Sequence, residues 1–292
     1  MKPVVILTVA LAAHAALIGA QGAQGTGVYR SRAEVVVIDA AVSDGRKPIT
    51  HLTKNDFELR DNGVVQEVLD FSRETLPLDV TVTIDISGSM TPAKRGMVYR
   101  AVDQISAALK PDDRGSVVTF ATRVIERRPL LPPPMEADLS PNGSGTAVRD
   151  ALLLSLTSTP AVDRRQFGLF MTDGEDTTSY FDARTVTETA RHASGQTTIV
   201  LVRDNGKLKD KDARQMFQAV ATTTGGEVVE LDRGDDLSRA FLAALESFRT
   251  SYVLRYSPVG VASPGWHEVS VTTKPKRYNV RARRGYWADV SR

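Results

Sequence analysis

The sequence predicts an α/β protein in which a doubly wound, mostly parallel sheet is inserted between two β-rich flanks. Three observations carry that prediction. From Leu78 to Thr250, apolar β-branched runs alternate with stretches of helical period, the pattern of a sheet covered by helices on both faces. Before and after this stretch the period drops to two and the helical spacing is lost. One apolar run, "LDVTVTID", stops at Asp85 and is followed by Ser87 and Ser89. A strand that surfaces in this way marks a site at the rim of such a sheet.

The elements follow in order. "AEVVVIDAAVSD" alternates as a strand should, with a turn at Gly45. "DFELRDNGVVQEVLDF" holds Asp61-Asn62-Gly63 between two alternating runs, a hairpin signal. Residues 28–76 therefore read as a β-rich segment. After the strand that ends at Asp85, Pro92 behind Thr91 is a helix start, and Met97, Ala101, Ile105 and Ala108 recur at helical spacing. Two short strands in "GSVVTFATRVIERRPLL", a loop, a helix in "TAVRDALLLSLTS" and a buried strand "FGLFMTD" come next. Helices in "DARTVTETARHAS" and "DARQMFQAVATTTGG", strands in "TTIVLV" and "GEVVEL", and an amphipathic helix Asp236–Arg249 complete the unit at 78–250. "SYVLRYSP", "HEVSVTT" and "RYNVRARRGYW" return to β over 251–288, which predicts that the two flanks pair into one β-sandwich.

The first residues, "MKPVVILTVALAAHAALIGAQGAQ", have a single Lys2, then an apolar stretch ending in small residues. That is the shape of a signal peptide over 1–23, cut between Ala15 and Ala23. An uncleaved anchor is the alternative, but His14 interrupts the stretch and no basic stop follows it. The expectation is an exported, periplasmic or extracellular protein with no membrane span in the mature chain. A hydrophobic content of 41% and a charged content of 25% are those of a soluble globular protein. The net charge of +2 gives no push towards nucleic acid. With no cysteine, disulfides, thiolate chemistry and a lipid-modified cysteine are all excluded.

Three segments fall at strand ends or in the loops beside them: Asp85 to Ser89, Gly143 to Thr146, and "MTDGED" with Asp173. They offer two carboxylates and three hydroxyls, all oxygen donors. Such ligands suit Mg²⁺, with Mn²⁺ or Ca²⁺ as alternatives, and exclude a zinc-type site.

Asp85-x-Ser87-x-Ser89, Thr146 in "GSGTAVRDA" and Asp173 in "TDGED" resemble the metal-ion-dependent adhesion site of von Willebrand factor type A domains. The resemblance covers roughly Leu78 to Thr250, with all five positions present. It implies that Ser87, Ser89 and Thr146 bind the metal directly, while Asp85 and Asp173 hold coordinated waters or bind the ion, depending on conformational state. It also implies a protein partner that completes the shell with an Asp or Glu carboxylate. The helix Asp236–Arg249 is similar in place to the family's moving helix. "LTKNDFELRDNGVVQEVLDFSRE", "PLDVTVTIDISGSM" and "RARRGYWA" resemble bacterial exported proteins that carry a type A domain between β flanks.

The function this predicts is an exported, metal-dependent adhesion or interaction module and not an enzyme. Two alternatives stay open: an envelope scaffold whose metal is incidental, and a Mg²⁺-dependent hydrolase. For the hydrolase, Ser87 stands where a second acid is required, and His51, His192 and His267 fall outside the site segments. Arg281 and Arg283 read as the wet face of a strand, Trp266, Tyr286 and Trp287 as packing residues, and His192 as a helix-surface residue. Glu175 and Asp176 read equally as tuning groups or as ordinary loop residues.

Overall fold

The computed structural model describes residues 35–289 apart from 46, 74–75, 158–160, 162, 203–209, 233–235, 262–263 and 275–277. The segment read as a signal peptide lies outside the described residues. Strand β1 (Val36–Asp44) buries Val36, Ile38, Ala40 and Val42 on alternate positions, as a strand covered on one face must. Gly45, at φ +59°, turns the chain into β2 (Lys47–Pro48). Strands β3 (Phe57–Asp61) and β4 (Val64–Gln66) form the hairpin, with Asp61 opposite Val64. Asn62 and Gly63 both take positive φ, the conformation that matches a tight turn to strand twist. β5 (Asp70–Ser72) ends the flank.

The inserted unit runs β6 (Leu78–Asp85), α1 (Pro92–Ala108), β7 (Arg114–Phe120), β8 (Val124–Arg127), α2 (Val148–Leu156), β9 (Arg165–Thr172), α3 (Ala183–His192), β10 (Gln196–Val202), α4 (Lys211–Thr224), β11 (Val228–Leu231) and α5 (Leu237–Arg249). Its sheet has the order β11-β10-β9-β6-β7-β8, parallel throughout except for the antiparallel edge strand β8. Every residue of β10 is buried, because helices cover both faces of the sheet. On one face Val98, Ala101 and Ile105 of α1 and Phe241, Leu245 and Phe248 of α5 pack on Val82 and Leu169. On the other, α2, α3 and α4 bring Leu152, Val186 and Phe217 against Phe120, Phe170 and Ile199. Local signals set the helix ends: Thr91 caps α1 through Lys94 N, Asp182 caps α3 through Thr185 N, and Gly225 closes α4 in the left-handed region.

Strands β12 (Tyr252–Tyr256), β13 (Gly265–Thr273), β14 (Asn279–Ala282) and β15 (Gly285–Ala288) complete the flanks. The two flanks pair as the sequence predicts. One sheet runs β14-β1-β12-β5 with β2 on β1, the other β15-β13-β3-β4, all antiparallel. Their inner faces share a core of Ile38, Phe57, Leu59, Tyr252, Leu254 and Tyr256.

"RYNVRARRGYW" forms two strands in different sheets, because β14 pairs with β1 while β15 crosses over to β13. One expectation is corrected here. Arg281 and Arg283 are not on a wet face. Arg281 pairs with Glu227 and bonds Ser247 Oγ at 2.7 Å, and Arg283 donates to the carbonyls of Ala193 (3.0 Å) and Gly285 (2.6 Å). The inserted unit covers that face. The flank is fastened to the insert a second time by Arg165, which is buried and bonds Asp39 Oδ1, Phe248 O and Ser251 Oγ.

Candidate metal centre

The strand order reverses between β6 and β9. The loop leaving β6 runs to α1 on one face, and the loop leaving β9 runs to α3 on the other. Loops that part in this way leave a crevice at the carboxyl ends of the two central strands. Asp85 is the last residue of β6, and Asp173 directly follows β9.

Asp85 is completely buried. Its Oδ1 accepts from Ser87 N at 2.9 Å and its Oδ2 from Thr172 Oγ1 at 2.8 Å, so one oxygen is fixed by its own loop and the other by the neighbouring strand β9. Thr172 Oγ1 in turn accepts from Gly174 N at 3.0 Å, which turns the chain directly after Asp173. Burial pushes the Asp85 carboxyl above its ordinary range, the Ser87 hydrogen bonds pull it back, and the negative charge of Asp173 adds to the rise. The Ser87 and Ser89 hydroxyl oxygens lie 3.1 Å apart. Below them, Lys94 Nζ donates to Ser89 O at 3.4 Å from the first turn of α1.

The second loop meets the first through Asn142 N, which donates to Ile86 O at 3.4 Å. A Cβ on Gly88 would lie 3.6 Å from Gly143 O and 3.7 Å from Ser144 Cα, so the two loops are in contact range. Gly143 has φ +76°, and a side chain there would meet Thr122 Oγ1 at 2.4 Å, which demands glycine. Buried Thr146 joins the second loop to the third. Its N–H donates to Thr177 Oγ1 at 2.8 Å, and its carbonyl accepts from Thr177 N at 2.9 Å and Thr178 N at 3.2 Å.

Asp176 accepts from Arg149 N (2.9 Å), Arg149 Nη2 (3.0 Å) and Ser179 Oγ (2.5 Å). Burial pushes its carboxyl up, but Arg149 and the Ser179 hydroxyl outweigh burial and hold it below the ordinary range. It therefore caps α2, whereas Glu175 is exposed.

Asp85, Ser87, Ser89, Thr146 and Asp173 thus lie on three loops joined to one another at the end of the sheet. Sequence reasoning passed over Thr172, Thr177 and Lys94, which hold these residues through contacts that leave no spacing signature. Among the described residues, no cluster of three or more His, Cys, Asp or Glu side chains is placed to hold a metal. The three loops instead carry two carboxylates and three hydroxyls.

No protein-family profile matches the chain. It is 28% identical over 136 residues to inter-alpha-trypsin inhibitor heavy chain H4 from Homo sapiens, a match covering 41% of this chain and 15% of that protein. The chain thus spans under a sixth of the length of that curated relative. Among solved structures, a von Willebrand factor type A protein from Catenulispora acidiphila is similar at 13% identity and TM-score 0.47, over 88% of this chain and 74% of that one. Proximal thread matrix protein 1 from the mussel byssus, described with a zinc-occupied adhesion motif, is similar at 15% identity and TM-score 0.47, over 64% of this chain and 49% of that one. With its sheet reversing at β6 and β9, helices on both faces and loops meeting at that reversal, the inserted unit has a doubly wound, mostly parallel α/β fold, consistent with a von Willebrand factor type A or Rossmann-like architecture.

Proposed function

We propose that Asp85, Ser87, Ser89, Thr146 and Asp173 hold one divalent cation, and that the protein is an interaction module whose partner docks there through an Asp or Glu carboxylate. What supports this reading is that the loops carrying these oxygen-only side chains, two of them acidic, are bonded to one another beside the strand-order reversal. Two like charges, one fully buried, raise the free energy of the crevice, and a dication relieves both terms. The fit is also geometric. Ser87 Oγ and Ser89 Oγ stand 3.1 Å apart, close enough for one small cation to be held by both. Hard oxygen donors put Mg²⁺ first, with Mn²⁺ and Ca²⁺ as alternatives. When bound, the cation supplies an open coordination position for a carboxylate oxygen.

The chain's own residues prepare that position. Thr172 and the Ser87 amide fix Asp85, each of whose oxygens keeps a further lone pair for a coordinated water. Thr177 and Thr178 fix Thr146 on the opposite wall. Binding without catalysis is read because two of the histidines are engaged away from the crevice: the His192 ring lies tilted against Trp287 at 4.6 Å, and His267 is buried against Asp61 Oδ1 at 2.9 Å. Export to the periplasm or beyond belongs to the same proposal and rests on the leader-like residues 1–23.

Calorimetric titration of the full chain with MgCl₂, MnCl₂ and CaCl₂ tests the site. One ion per chain is expected, with affinity lowered roughly 10- to 100-fold or more by Asp85→Ala and by Thr146→Ala. Absence of both heat and thermal stabilisation with Mg²⁺ and Mn²⁺ sinks the metal site. Partner binding that persists in chelator and in Asp85→Ala sinks the docking mechanism and leaves the scaffold reading.

A further inference from the structure

The loop that carries Asp173 continues past Thr177 and Thr178 to Tyr180 and Phe181. Tyr180 is 95% exposed and Phe181 47% exposed. A tyrosine held almost wholly in water gives up the burial that aromatic side chains normally obtain. Slack in the backbone does not explain it. Tyr180 N donates to both oxygens of Asp150 (3.0 and 3.1 Å) and Phe181 N to Asp150 Oδ1 at 3.0 Å, while Ser179 Oγ donates to Asp176 Oδ2 at 2.5 Å. Asp150 sits in the first turn of α2, four residues after Thr146, so one short segment carries both the aromatic pair and a wall of the crevice. From Thr177, which touches Thr146, to Tyr180 is three residues, a reach of at most roughly 10 Å.

We infer that Tyr180 and Phe181 are a second docking point beside the crevice, and that the partner is a protein loop carrying one Asp or Glu with an aromatic or long aliphatic side chain about three residues away. The inference rests on the metal reading above and adds the apolar half of the partner. Two features of the surface select that occupant. Asp173, Glu175 and Asp182, none of them buried, lie along this loop, so an acidic loop is held only through a cation, and charge alone gives it little specificity. The aromatic pair, carried on a backbone that Asp150 anchors, supplies the contact that separates one acidic loop from another, since aromatic anchors dominate interface energetics and an ordered backbone lowers the entropy cost of docking.

Selection of a phage-displayed library of cyclised heptapeptides on the Mg²⁺-loaded full chain tests this. Selected loops are expected to pair one acidic residue with an aromatic or aliphatic one within about three positions. Tyr180→Ala with Phe181→Ala should weaken them about 10- to 100-fold, Tyr180→Phe should retain them, and Mg²⁺ affinity and Tm should be unchanged. Loops enriched in an acid alone, or equal binding by the double variant, overturn the aromatic docking point while leaving the metal site intact. Loops that need the aromatics but neither acid nor Mg²⁺ overturn the acidic-loop occupant. Self-association in sedimentation that disappears in the double variant overturns it in favour of a second copy. Failure of the metal reading is separate and appears as no Mg²⁺ uptake in the unmodified chain.

Discussion

Asp150 accepts from two backbone N–H groups of the aromatic loop, that of Tyr180 shared between both its oxygens, although it belongs to a different element, so its removal should loosen that loop without unfolding the protein. Asp150→Ala is expected to raise hydrogen exchange at the Tyr180 and Phe181 amides at least tenfold with a small change in Tm; unchanged exchange refutes the anchoring role. Gly226 is a contrasting case, because a Cβ there would lie 1.9 Å from Thr197 O, a backbone atom of β10. Gly226→Ala should cost about 1–3 kcal/mol or more in denaturant unfolding, the range for forced overpacking. At the opposite end of the sheet Asp79, buried, accepts from Arg114 (2.8 and 2.6 Å) and Arg164 (2.6 Å), and Asp113 accepts from Leu78 N, Lys110 N and Arg249. Burial pushes both carboxyls up, but these donors outweigh it and leave both below the ordinary value. Groups whose folded value is depressed contribute stability above the unfolded value of about 3.9 and lose it as pH falls through the lower folded value. The urea midpoint should therefore drop steeply below about pH 4, and Arg164→Leu should cost about 2–3 kcal/mol at pH 7, less than a fully broken buried pair because Arg114 stays. A midpoint flat down to pH 3 contradicts this.

Helix α5 packs beside α1 on one face of the inserted sheet, and its C-terminal end is held firmly. Arg249 Nη2 bonds Asp113 Oδ2 at 2.8 Å, Phe248 O accepts from Arg165 at 2.7 Å, and the Phe248 ring stacks on Phe167 at 5.0 Å. Arg249→Ala should raise exchange across the last turn of α5 before any other helix of the insert, and exchange confined to other elements would refute the anchoring. Most elements of the insert were legible because period and caps agree: Thr91-Pro92 opens α1, Gly225-Gly226 closes α4, and each central strand is a short apolar run. Of the proposed site positions, Asp85 and Asp173 stand at the ends of such runs and Ser87 and Ser89 follow Asp85, whereas Thr146 lies in a glycine-rich loop ahead of α2. What was not legible acts across the fold. Thr172 and Asp150 reach partners on other elements and carry no spacing signal. Arg281 and Arg283 alternate as a solvated face would, yet the face they occupy is covered by residues more than thirty positions away, Ser247 and Ala193 among them. The break between β14 and β15 falls at Arg283-Arg284 without a proline to mark it.

At the scale of the molecule, Ser72 of β5 pairs with Val253 of β12 across the whole inserted unit, and that unit enters and leaves on the same side, with Pro77 O bonded to Arg165 N and Arg165 bonded to Ser251. This adjacency orders the assembly of the protein in time. Bringing strands together across an unfolded tether of about 180 residues costs roughly 4–5 kcal/mol of chain entropy, against about 2 kcal/mol across an effective tether of about ten once the insert has folded and joined its own ends. The insert should gain protection first in pulse-labelled refolding, and Phe170→Ala in its core should delay protection of β1 and β12, whereas Ile38→Ala in the sandwich should leave the insert's refolding rate unchanged. The sandwich is then a late clasp that shuts only on a finished domain, so a nascent chain whose insert misfolds is left with unpaired strand edges open to proteolysis.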